Sequence, residues 1–191
     1  MKPYSIFDPH GLYFITSTIT EWQSIFTYPE THQILLDSWE HCRRKKGLRI
    51  HYYVIMPNHW HMLVSSDGSH LSDILRDMKR HTSRRLRDFL QEHWVKTPLQ
   101  EFQMHARWDR RGNDFKVYQA GFHPIFISSE KSLHQTANYI HHNPVKKGFV
   151  LNPEDWLYSS ARNYVNGDES VFQMDYLDSA DICFSSSLPF G

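Results

Sequence analysis

The chain has 191 residues, 40% hydrophobic, 15% aromatic and 22% charged, the composition of one globular domain large enough to bury a core without staples. No apolar run approaches the roughly 18 residues of a membrane span, the N-terminal Met1-Lys2-Pro3-Tyr4-Ser5-Ile6-Phe7-Asp8 lacks the apolar stretch of a signal peptide, and two isolated cysteines, Cys42 and Cys183, make no disulfide framework, so a reducing, cytoplasmic setting is expected. The 21 Lys and Arg formally cancel the 21 Asp and Glu, but no base lies beyond Arg162 whereas Asp168, Glu169, Asp175, Asp178 and Asp181 do, so residues 1–167 carry +5 and keep a field that attracts a polyanion.

Leu12 to Ile19 is rich in β-formers and predicts the first strand. Pro29 to Lys46 predicts a helix, with Ile34, Leu35, Trp39 and Cys42 near one stripe and Gly47 as its stop. The cluster Arg43-Arg44-Lys45-Lys46 suits the partial negative charge of that helix end. Leu48 to Met56 and His59 to Ser65 predict a hairpin that turns at Pro57-Asn58. Strand side chains alternate between faces, so His59 and His61 point one way and Trp60 points to the core. Two imidazoles side by side on a rigid element are a partial metal site.

Ser69 to about Trp94 predicts a long amphipathic helix, its apolar stripe being Leu71, Ile74, Leu75, Met78, Thr82, Leu86, Phe89 and Leu90. Arg76, Lys79, Arg80, Arg84 and Arg87 lie on its other side, a face that suits a phosphate backbone. Val95 to Asn113 shows no clear period and reads as a long connection carrying Arg107, Trp108, Arg110 and Arg111. Phe115 to Ala120 predicts a strand, and Ile125 to Ile127 a short extended piece. A helix follows from Ser129. Leu133, Ala137 and Ile140 share one face, and Gln135, Tyr139, His142 and Asn143 share another, so the Tyr139 phenol is expected to be exposed. Pro144 is expected to end this helix.

The ordered set of motifs resembles the single-tyrosine HUH transposases, and within them the REP-associated tyrosine transposases. The resemblance rests on Met56-Pro57-Asn58-His59-Trp60-His61 and, about 80 residues later, Tyr139-Ile140-His141-His142-Asn143-Pro144-Val145-Lys146-Lys147-Gly148. It extends over Lys116 to Phe122, where family members commonly carry Trp at the position of Tyr118, and over Trp156-Leu157-Tyr158-Ser159-Ser160-Ala161. It runs from about Gly11 to about Tyr164.

The family resemblance implies an α+β fold: a ferredoxin-like antiparallel sheet with helices on one face and an added tyrosine-bearing helix. That transposase domain would occupy residues 1–167, leaving 168–191 as an acidic tail. The resemblance also implies metal-dependent cleavage and rejoining of single-stranded DNA at hairpin-associated sites. Tyr139 would be the nucleophile and would form a 5′-phosphotyrosine. His59, His61 and, one turn after the tyrosine, Asn143 would hold a divalent cation, Mg2+ or Mn2+. No phosphate-binding Gly-x-x-x-x-Gly-Lys loop is present, as befits chemistry that conserves a phosphodiester.

The expected partner is single-stranded or hairpin DNA. The expected nucleic-acid contacts are Lys79, Arg80, Arg84, Tyr118, Lys146 and Lys147, with bases stacking on aromatics such as Tyr118, Phe122 and Trp108. No membrane association is expected, and the pattern is compatible with both a homodimer and a monomer. Two rivals compete with this reading. One is a domesticated DNA-hairpin binding protein of the same fold without cleavage activity. The other is an unrelated zinc hydrolase built on His59 and His61, which has no carboxylate partner near that motif. The aromatics of the tail, Phe172, Tyr176 and Phe184, suggest that it docks, either on a second protomer or over the chain's own basic groove.

Overall fold

The computed structural model describes residues 6–68, 70–93, 95–109 and 114–177, with only the backbone for Trp108 and Asp109. Its elements in chain order are β1 (Tyr13–Thr18), α1 (Pro29–Lys46), β2 (Leu48–Met56), β3 (His59–Ser66), α2 (Leu71–Glu92), α3 (Lys96–Asp109), β4 (Ile125–Phe126), α4 (Glu130–Lys146) and α5 (Ala161–Asn166). The strands form one antiparallel sheet in the order β2-β3-β1-β4. This is the ferredoxin-like order that the resemblance implies.

Alternation along the strands divides the molecule into two layers of core. In β1, Tyr13, Ile15 and Ser17 are buried while Phe14, Thr16 and Thr18 are partly open. Tyr13 and Ile15 join Ile50, Tyr53, Ile55, Trp60, Met62 and Val64 in the larger core beneath α1 and α2. Trp60 is buried against Trp39 of α1, ring centroids 5.8 Å apart. The opposite face holds a smaller core in which Val54, Met56 and Leu63 meet Leu133 and Ile140 of α4. Helix α4 therefore lies across the face to which His59 and His61 belong, with Tyr164 of α5 stacked on Tyr52 at 4.6 Å beside the same core.

The predicted stripe of α2 is the buried stripe, residue for residue. Gly47 ends α1 in the left-handed conformation, φ 68°, which glycine adopts without a Cβ clash. The basic end of α1 is partly consumed by structure, since Arg43 bonds Glu40 and Asp175 and Lys46 bonds Asp77.

Three expectations are corrected. Lys96–Asp109 is a helix and not a connection. Its period is short and its polar residues many, but Phe102 and Ala106, one turn apart, are buried, with Leu99 packed beside them. Phe115 to Ala120 is no regular strand. It meets the end of β1 through one isolated bridge, Ile19 with Tyr118, and through hydrogen bonds from Thr20 N to Val117 O and from Gln119 N to Thr18 O. Finally, α4 continues through Pro144 to Lys146. Proline removes a single N–H there, and within the last turn Lys147 N bonds Asn143 O and Gly148 N bonds Val145 O, closing the end. Arg110 and Arg111 lie outside the described residues.

Neither docking site expected for the acidic segment is the one observed over its described part. Residues up to 177 pack on this chain's own α1 and β2. Phe172 and Met174 are buried in the larger core. Asp175 takes two hydrogen bonds from Arg43 and one from Ile50 N, and its own N–H bonds Ile50 O. Phe184 lies outside the described residues.

Candidate metal and tyrosine site

The site is assembled at one end of the sheet. The two-residue turn Pro57-Asn58 brings Met56 opposite His59, and β1 places Thr18 opposite His59 and Thr16 opposite His61. The two imidazole centroids are 4.9 Å apart. From the facing helix, the Tyr139 ring stands 5.2 Å from the His61 ring. Phe14 stacks on His61 at 5.3 Å and meets the Tyr139 ring edge-on at 5.8 Å. Tyr139 is 40% exposed, as its polar helix face predicts.

Each histidine is held through Nδ1. His59 Nδ1 lies 2.7 Å from Asn58 Oδ1, and His61 Nδ1 lies 2.8 Å from Thr16 Oγ1. A carboxamide oxygen only accepts, so His59 Nδ1–H donates and Nε2 keeps a bare lone pair. The Thr16 hydroxyl accepts equally well and permits the same tautomer of His61. Burial pushes the His59 pKa down to about 4, helped by the positive charge of Lys147. Burial, with His59 alongside, pushes His61 down to about 3. Both imidazoles are therefore neutral near pH 7, the form that donates to a metal.

Two atoms test whether a cation fits. His61 Nε2 and Asn143 Oδ1 are buried and find no hydrogen-bond partner among the described residues. An unsatisfied buried acceptor costs about 1–3 kcal/mol, and a divalent cation satisfies an imidazole nitrogen and an amide oxygen together. His59, beside His61 with ring centroids 4.9 Å apart, is a third neutral candidate donor. Among the described residues no group of three His, Cys, Asp or Glu could hold a metal.

The other residues expected to bind nucleic acid fall into two groups. Lys146 and Lys147 are exposed at the end of α4, with Lys146 Nζ 5.4 Å from the Tyr139 ring centroid. Lys79, Arg80, Arg84 and Tyr118 lie on the α2 side of the sheet, lining a cleft of about 720 Å3 between α2 and residues 114–122. Arg76, Arg87 and Lys116 line it too, so the cleft is strongly cationic.

Within that cleft, Tyr118 and Lys79 have different roles from those expected. Tyr118 is only 4% exposed and its hydroxyl donates to Thr82. It is a core wall and presents no face to a base. Lys79 donates to Gln119 O and Gly121 O, and its ammonium sits over the Tyr118 and Phe122 rings. Burial lowers its pKa to about 8. It fastens the 118–122 segment to α2, while Arg80 and Arg84 are exposed.

Sequence reasoning missed Thr16 as a partner of His61 and the role of Asn58 beyond its turn. Asn58 adjoins His59, so a polar residue just before a strand histidine was an available signal. Thr16 carried none, because only the β1–β3 register brings it to His61.

A profile described as "Transposase IS200 like" matches residues 13–143. A solved structure described as a REP-associated tyrosine transposase bound to a REP hairpin aligns over 95% of this chain and 96% of its own, at 20% identity and TM-score 0.62, and shares the fold. A transposase candidate from Deinococcus radiodurans R1 aligns over 68% of this chain and 87% of its own, at 18% identity and TM-score 0.43, too loosely to argue from. A search of curated proteins finds no significant match. The profile ends on Asn143 and takes in both histidines and the tyrosine, and over that span, more than half its length, the chain belongs to the IS200-like transposase family.

Proposed function

We propose that this protein cleaves and rejoins single-stranded DNA at hairpin-associated sites, with Tyr139 as nucleophile. The observation that carries the reading is the Tyr139 ring 5.2 Å from His61, beside two buried acceptors, His61 Nε2 and Asn143 Oδ1, that lack partners. A solved relative of the same fold is described as bound to a REP hairpin, which supports hairpin DNA as the substrate class.

The residues divide the work. His59, His61 and Asn143 would hold Mg2+ or Mn2+, which when bound polarises the scissile phosphate and offsets charge on its oxygens. All three ligands are neutral, so the ion's charge is left for the phosphate. Asn58 and Thr16 orient the imidazoles. The Tyr139 oxygen attacks phosphorus, the P–O3′ bond breaks, the phenolic proton is lost and the 3′ oxygen gains one. The products are a 5′-phosphotyrosine and a free 3′-OH, and reversal rejoins the strand without a nucleotide cofactor. Lys146 and Lys147 supply positive charge beside the nucleophile, and the cleft with Arg80 and Arg84 tracks more distant phosphates.

Tyr139→Phe removes one hydroxyl from a partly exposed ring. It is expected to keep the fold and hairpin binding and to abolish the covalent protein–DNA band on a denaturing gel. An undiminished band in the variant overturns the assignment. A wild-type protein that binds hairpins but forms no adduct with any single strand would point to the domesticated binding protein instead.

A further inference from the structure

One aromatic at the mouth of the site has no role in the scheme above. Trp22 is 58% exposed, and its ring meets the His59 ring in a T-shaped contact at 6.1 Å. Among the described residues no other ring lies against it. Its backbone is held in the left-handed region, φ 54°, as is that of Glu21, φ 52°. Two successive non-glycine residues take that conformation only where their surroundings impose it.

The surroundings here are specific. Ile19 N bonds Asn58 O, Thr20 N bonds Val117 O and Trp22 N bonds Ile19 O, while the Glu21 carboxylate pairs with His105 of α3 at 2.9 Å. The loop is thus tied to the turn that carries His59, to the segment after α3, and to α3 itself. The fold spends backbone strain to hold a large apolar ring in water beside a candidate metal ligand.

We propose that Trp22 is the stacking platform for a nucleobase flanking the scissile phosphate. The inference rests on reading the His59–Tyr139 face as a single-strand site. Whatever covers the indole must share that face with the reacting phosphate, and the substrate strand itself is the occupant that does so. Every base offers a π-face, so stacking adds affinity and fixes the approach of the strand without demanding a sequence. Trp22 is not among the residues that line the cationic cleft on the α2 side of the sheet.

The test compares two probes of equal length and charge, oligothymidylate and a fully abasic strand, binding to the full-length protein. Trp22→Ala is expected to weaken oligothymidylate binding roughly five- to hundredfold and to leave abasic binding unchanged. Trp22→Phe is expected to recover most of the loss. Equal losses on both probes, or none on either, overturn the platform. The readout is binding, so it stands apart from the adduct assay, which reports separately on Tyr139 chemistry.

Discussion

The Thr16 hydroxyl lies 2.8 Å from His61 Nδ1, which leaves Nε2 as the ring nitrogen without a hydrogen-bond partner among the described residues. Partners at the far nitrogen commonly change metal affinity 10- to 100-fold. Thr16→Val keeps the shape and removes the hydroxyl, and is expected to weaken Mn2+ binding by about that factor, read by calorimetric titration. Thr16→Ser is expected to restore it. Unchanged Mn2+ affinity in the valine variant would mean that packing by Phe14 alone orients the ring. Tyr118 and Lys79 show the opposite case at this scale. Both looked like contacts for nucleic acid, and both are taken up by the protein, one by Thr82 and the other by two backbone carbonyls.

Among the elements, the segment after α5 behaves as part of the domain that it follows. Phe172 and Met174 are 6% and 4% exposed, and burying each side chain is worth about 1.5–3 kcal/mol. Asp175 completes the bonding of Arg43. Burial alone would raise the Asp175 pKa, but hydrogen bonds from Arg43 and Ile50 N outweigh it and the net shift is downward. Deletion after Gly167 is therefore expected to lower stability by about 3–6 kcal/mol, a large share of the 5–15 kcal/mol typical of a domain, and to lower the melting temperature visibly. A truncated chain that melts like the full one and binds DNA more tightly would instead favour the groove-covering tail. None of residues 168–177 lines the cationic cleft.

For the whole molecule, buried neutral histidines set the response to acid. Burial lowers His32, His59 and His141 to about 4 and His61 to about 3, with the nearby charge of Lys147, His142 and His59 adding to the effect on His59, His141 and His61. Unfolded, each titrates near 6.5. Between these values the unfolded chain binds more protons than the folded one, so acidification favours unfolding. The stabilisation is fully present above pH 6.5 and is withdrawn as pH falls towards 4. Urea midpoints are expected to decline across that window, before the depressed carboxylates Asp168 and Asp175 begin to protonate. A flat midpoint down to about pH 4.5 would contradict neutral burial of these rings.

The sequence by itself determined what depends on period and on near neighbours. The buried stripe of α2, the hairpin at Pro57-Asn58, the glycine stop of α1 and the shared face of His59 and His61 all follow from alternation or helical spacing within a few residues. The motif spacing carried the family and, through it, the sheet order. Helix α3 escaped because Leu99, Phe102 and Ala106 are few among polar neighbours, and its helicity depends on their burial. The fate of Tyr118 and Lys79, the pairing of Thr16 with His61, and the exposure of Trp22 were decided only by tertiary structure. Each depends on the register of β1 against β3 or on the way residues 114–122 cross α2, and both are contacts between segments tens of residues apart. Local physics selects the elements. Which polar groups remain free for chemistry is settled only when distant segments have satisfied the others.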